Sequence, residues 1–127
     1  MNGKVKYWVD LAEYDFDTAK AMQETKRYLY VGFMCHQTIE KGMKAIIADS
    51  GIFPPKSHNL IELAKKANVY SILSQDQKDF LIDLNPLNIE ARYPTYVNKI
   101  NSTLTKSKCK TILSNTEVFF KWIKAKL

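Results

Sequence analysis

Residues 28 to 49 read YLYVGFMCHQTIEKGMKAIIAD, and the fold turns on how this stretch is read. Tyr28, Cys35, Ile39, Met43 and Ile46 recur at the three-four spacing of a helix, not at the alternation of a strand. The spacing predicts one helix from about Tyr28 to Asp49, ended by Gly51, Pro54 and Pro55. Gly32 and Gly42 lie beside the stripe. Each costs a helix about 1 kcal/mol relative to alanine, so close approach of a neighbouring helix is the expected compensation. Phe33 and Ile47 fall away from the main stripe. This helix therefore has apolar character on two sides: it is either central in a bundle or has one side against another subunit.

Upstream, from Lys4 to about Glu24, the residues Val5, Trp8, Leu11, Ala12, Phe16, Ala19 and Met22 follow the same helical spacing. A step of 100° per residue puts Asp15 in the middle of that stripe. A carboxylate facing a core is costly unless it is paired, so Asp15 requires a cationic or hydrogen-bonding partner, or a position bordering a cleft. Downstream, a short helix starts near Ser57, a reasonable N-cap, and buries Leu60, Leu63, Ala64 and Ala67. Ser74 and Gln77 have capping-box spacing ahead of Phe80, Leu81 and Leu84, and Pro86 then interrupts the pattern. The final helix, from about Thr105 to Leu127, aligns Cys109, Ile112, Leu113, Thr116, Phe119, Phe120 and Ile123 on one face. These elements and their short connections favour an all-α fold, an antiparallel up-and-down bundle of four to five helices.

At 127 residues and 46% hydrophobic, the chain fits one domain over residues 1–127 with a single core. No basic start followed by an apolar core marks a secretory signal, and no stretch has the length of a bilayer span. A cytoplasmic protein without a membrane partner is the expectation. Cys35 and Cys109 show neither CxxC nor CxxH spacing, which gives no support to a metal site, and both fall on apolar stripes as buried, inert thiols. No Gly-rich phosphate loop is present, and no cofactor is expected. Charge is distributed unevenly. Residues 1 to 98 balance 12 Lys and Arg against 12 Asp and Glu, whereas residues 99 to 127 hold seven Lys and only Glu117. The C-terminal segment is thus a basic helix, suited either to a nucleic acid or acidic protein, or simply to solvent.

Three local patterns, in this order, resemble the HEPN (higher eukaryotes and prokaryotes nucleotide-binding) family. The first is the opening helix with Trp8, Ala12, Asp15 and Ala19. The second is Cys35-His36-Gln37-Thr38-Ile39-Glu40-Lys41-Gly42-Met43-Lys44-Ala45, similar to the family's glutamine, glutamate-lysine and lysine-alanine signature. The third is Lys56-Ser57-His58-Asn59-Leu60 followed by Arg92-Tyr93-Pro94. The resemblance covers essentially the whole chain. It implies an antiparallel helical bundle, a homodimer, and a partner of the minimal nucleotidyltransferase kind, as in toxin-antitoxin or regulatory systems.

Many members of the family are metal-independent ribonucleases that use an arginine followed after four to six residues by a histidine. That motif is absent here: Arg92 is followed by Tyr93-Pro94-Thr95-Tyr96-Val97-Asn98-Lys99, and no histidine follows His58. Arg27 precedes His36 by eight intervening residues and lies at the start of a different element. The first expectation is therefore a module without catalysis that binds a nucleotide or RNA phosphate. The candidate binding residues are Arg92, Tyr93, Asp15 and Lys41. Two other readings stand beside it: a ribonuclease with a non-standard site built on Arg92 with His58 or His36, and a purely structural dimerisation platform. Metal-free RNA cleavage needs a group that changes protonation near neutral pH together with a cation, which keeps His58 and Arg92 as the catalytic candidates.

The same residues also admit plainer roles. Arg92 can pair with Asp15, His58 can make a hydrogen bond at a helix start, and His36 can be a satisfied core histidine. Glu40 and Lys44 can be an ordinary pair four residues apart. Tyr93 and Tyr96 can stack on a base or pack against the bundle.

Overall fold

The computed structural model describes residues 1–90 and 104–127, with Ile89 and Glu90 described in backbone alone. Arg92, Tyr93 and Tyr96 lie outside the described residues. The elements are α1 (Gly3–Glu24), α2 (Tyr28–Asp49), α3 (Leu60–Lys66), a 3-10 turn (Tyr70–Ile72), α4 (Gln75–Leu84), the short α5 (Leu87–Glu90) and α6 (Lys106–Ala125). No strand occurs among the described residues. The architecture is the all-helical bundle that the periodicity predicts.

Local chemistry sets the helix ends. Asn2 Oδ1 accepts from the Val5 N–H at 2.9 Å and starts α1. The helix closes where Lys26 enters the left-handed region at φ 63°, which lets the Arg27 N–H reach the Met22 carbonyl at 2.8 Å. Ser74 and Gln77 form the expected capping box on α4. The start of α3 differs from expectation: its cap is Asn59, whose Oδ1 accepts from the N–H groups of Ile61 and Glu62, while Ser57 Oγ accepts from the Asn59 N–H and donates to Glu62. Ser57 therefore braces the turn one step outside the helix, and asparagine takes the cap because its side chain reaches two orphan donors.

Of the two placements open to α2, the structure gives the central one. It packs against α1, α6, α3, α4 and α5, and it buries residues all round its circumference, including Val31, Cys35, Ile39, Met43 and Ile47. Ile47 is fully buried and Ile46 only partly so, the reverse of a single-stripe reading, because a central helix has no solvent side. The two glycines mark where neighbours come closest. A Cβ at Gly42 would lie 3.0 Å from Ile123 Cδ1 of α6, and one at Gly32 would lie 2.8 Å from Leu87 Cδ1 of α5. On α1, Val9 is buried and Trp8 only partly so, a drift of one position in the stripe. Both thiols are buried and free; burial pushes Cys35 up to about 12 and Cys109 up to about 11, so neither is a nucleophile at neutral pH.

Candidate functional site

Burying α2 on all sides carries its polar residues inward with the apolar ones. Glu40 is 3% exposed and Lys44 is 6% exposed. Lys44 Nζ donates to Glu40 Oε2 at 3.2 Å and lies 5.5 Å from the centre of the Trp8 ring. The other carboxylate oxygen, Oε1, is 2.9 Å from His58 Nδ1. The pair four residues apart is therefore no surface decoration but part of a three-residue charge cluster. An ionic pair this dry persists only with both partners present and well bonded.

His58 is consequently not engaged in starting α3, which Asn59 caps. A carboxylate only accepts, so His58 Nδ1 carries a proton and donates it to Glu40. About half of the side chain is exposed. His36 is the opposite kind of histidine. It is wholly buried, its Nδ1 is 3.8 Å from Glu40 Oε1, and its Nε2 has no hydrogen-bond partner among the described residues. Burial pushes its pKa down to about 4, against a weaker upward pull from Glu40, the His58 backbone and Asn85. His36 is neutral at physiological pH and has no route to solvent.

Outside the cluster a cleft of about 500 Å³ opens, lined by His58, Asn59, Asn85 and Asn88 with Ile61, Ile82 and Pro86. Three asparagines form its polar wall, two of them bonded to each other. Asn85 Oδ1 accepts from the Leu60 N–H at 2.9 Å, and Asn85 Nδ2 donates to Asn59 Oδ1 at 3.3 Å. Asn88 is 5% exposed, and its Oδ1 accepts from Gln37 Nε2 at 3.1 Å. A larger groove of about 850 Å³ lies elsewhere, between Tyr7 and Trp8 of α1 and the Ile52–Phe53–Pro54 turn. Lys4 is its one charged lining residue among the described residues. No group of three or more His, Cys, Asp or Glu residues suited to a metal ion occurs among the described residues, and no described helix is long and apolar enough to cross a membrane.

The remaining candidates divide. Asp15, 6% exposed as its place on the stripe requires, is paired with the ammonium of Lys41, whose side chain retains 21% exposure. The pair joins α1 to α2 and answers the carboxylate's need for a cation. Any contribution of Arg92 or Tyr93 lies outside the described residues.

Among these side chains, the sequence reading passed over Asn59, Asn85 and Asn88. The signal present in the sequence was positional: asparagine directly after His58, directly before Pro86 and two residues after it, each beside a helix boundary.

The comparisons bear on the whole chain. The fold is similar to that of TT1696 from Thermus thermophilus, known from a crystal structure, with a TM-score of 0.85 over 99% of this chain and 100% of that one at 16% sequence identity. No curated protein matches the chain. The HEPN domain family matches residues 5–126. With the motifs on α1 and α2, the His58 turn and the helical bundle in agreement with that match, the chain belongs to the HEPN domain family, a family of nucleotide- and RNA-related modules.

Proposed function

We propose that this protein is a dimeric HEPN module that holds a nucleotide or RNA phosphate at the mouth of the His58 cleft and works with a nucleotidyltransferase partner in a toxin-antitoxin or regulatory system. The observation that carries the reading is the half-exposed His58 ring, held by the buried Glu40 carboxylate beside a wall of asparagine amides. A phosphate arriving at Nε2 draws a proton onto the ring, and Glu40 stabilises the resulting imidazolium from behind. Arg92 supplies the permanent cation and Tyr93 a stacking face, roles that their side-chain chemistry suits. In this reading Lys41 and Asp15 hold α1 on α2 and shape the site without contacting the ligand.

A second reading has one specific observation in its favour. A histidine whose Nδ1–H is held by a buried carboxylate has the tautomer and orientation of a general base, which would let His58 with Arg92 cleave RNA without the usual motif. Incubation with labelled RNA in the absence of metal, beside equilibrium binding of the same RNA, separates the two. The binding module shows saturable affinity, weakened in His58→Ala and Arg92→Ala, with the RNA intact. Cleavage lost in both variants would establish the ribonuclease, and neither binding nor cleavage would leave the dimerisation platform. Sedimentation at micromolar concentration tests the dimer, which a monomer would refute.

A further inference from the structure

The asparagine wall of the His58 cleft has a hydrogen-bond polarity of its own. Every asparagine side-chain oxygen in it is already used inside the protein. Asn59 Oδ1 accepts from two α3 backbone N–H groups and from Asn85 Nδ2, Asn85 Oδ1 accepts from the Leu60 N–H, and Asn88 Oδ1 accepts from Gln37. The backbone bonds fix the orientation of Asn59 and Asn85, because an N–H can only donate. What these residues leave for the cleft is amide N–H: Asn59 Nδ2 and Asn88 Nδ2 have no partner among the described residues, while the Asn85 side chain is engaged by Asn59, the Leu60 N–H and the buried His36. Ile61 and Ile82 add apolar surface beside these donors.

From this polarity we infer that the cleft selects bases with an oxo group on the edge presented to it, guanine and uracil, over their amino counterparts, adenine and cytosine. Guanine offers O6 and N7, two adjacent acceptors, where adenine replaces one with an amino donor; uracil offers O4 where cytosine offers an amino group. An amino group turned toward the amides sets donor against donor and leaves both unpaired, which is how a polar site rejects a near-isostere. The inference rests on the nucleotide-binding reading above and adds to it the identity of the base.

The test is calorimetric titration of the full chain with GMP, AMP, UMP and CMP, repeated with Asn59→Asp. Aspartate keeps the oxygen that caps α3 and accepts from Asn85, and it replaces the free donor with an acceptor. Thermal melting checks that the variant is folded. Wild-type protein is expected to bind GMP over AMP, and UMP over CMP, by about tenfold. Asn59→Asp is expected to abolish or reverse both ratios, whatever its effect on overall affinity. Equal affinity for all four nucleotides would overturn the inference and leave the nucleotide-binding reading intact. Ratios unchanged in Asn59→Asp and also in Asn88→Asp would remove the amides as its cause. Absence of binding by all four would overturn the inference, and the RNA titration above then decides the phosphate-binding reading separately.

Discussion

His58 Nδ1 meets Glu40 Oε1 at 2.9 Å across 18 residues of sequence, tying the turn before α3 to the buried middle of α2. Glu40 is thereby shared: one oxygen holds His58 and the other accepts from Lys44. One buried carboxylate thus keeps a lysine compatible with the core and gives a half-exposed histidine a fixed orientation. The first role concerns stability and the second the site, and substitutions can separate them.

Glu40→Gln removes the charge that balances Lys44 in a site where both side chains are less than a tenth exposed. A loss of about 3–5 kcal/mol is expected, because an uncompensated ammonium is left in a dry environment. Lys44→Met introduced on the Glu40→Gln background should recover more than half of it, since the double variant has no orphan charge. Urea denaturation of the four proteins measures this, and additive single effects would contradict it.

His36 makes stability depend on pH in a defined window. Its folded pKa, about 4, lies below the ordinary 6.5, so between these values the unfolded chain binds more protons than the folded one. Stability from this residue is therefore complete above pH 6.5 and is lost as pH falls toward 4, by about 3 kcal/mol in all. His36→Gln removes the titrating ring. The difference in unfolding free energy between wild type and His36→Gln should shift by that amount between pH 7 and pH 4, and a constant difference would show that the ring is not held neutral.

Lys26 ends α1 with φ at 63°, a conformation that costs a residue bearing a Cβ about 1 kcal/mol and glycine almost nothing. Lys26→Gly should raise stability by up to about 1 kcal/mol without altering the fold, read as a higher melting temperature with unchanged helical circular dichroism. A lower melting temperature would mean that the lysine side chain contributes more than its backbone costs.

RNA binding should weaken steeply with salt. Lys106, Lys108 and Lys110 at the start of α6 are exposed and have no carboxylate partner among the described residues, whereas Lys121 and Lys124 pair with Glu117 and Glu13. Replacing the first three with glutamine should reduce the slope of log affinity against log salt by about 2, at roughly 0.7 per phosphate contact on a single strand. An unchanged slope would assign these lysines to solvent.

The bundle was legible because burial imposes a period on the sequence. Clean stripes on α1 and α6 and the capping box of α4 read directly as elements, and Asp15 in the α1 stripe pointed correctly to the need for a partner. The partner proved to be Lys41, which sequence spacing alone could not reveal, since the register between two helices depends on their packing. The same limit hid the Glu40–His58 contact and the convergence of Asn59, Asn85 and Asn88. Local spacing made Glu40 and Lys44 an ordinary pair four residues apart and Ser57 a cap; tertiary burial made the first part of a core cluster, and the longer reach of Asn59 displaced the second.

The central claim is that His58, anchored by Glu40, receives the phosphate of a nucleotide or RNA. The most direct test follows the ring nitrogens of His58 and His36 by NMR near neutral pH while a short single-stranded RNA is added. The account predicts a saturable shift of His58 toward the imidazolium form, with His36 remaining neutral and the His58 response weakened in Glu40→Gln. RNA that binds without perturbing His58, or that perturbs both histidines equally, would contradict it.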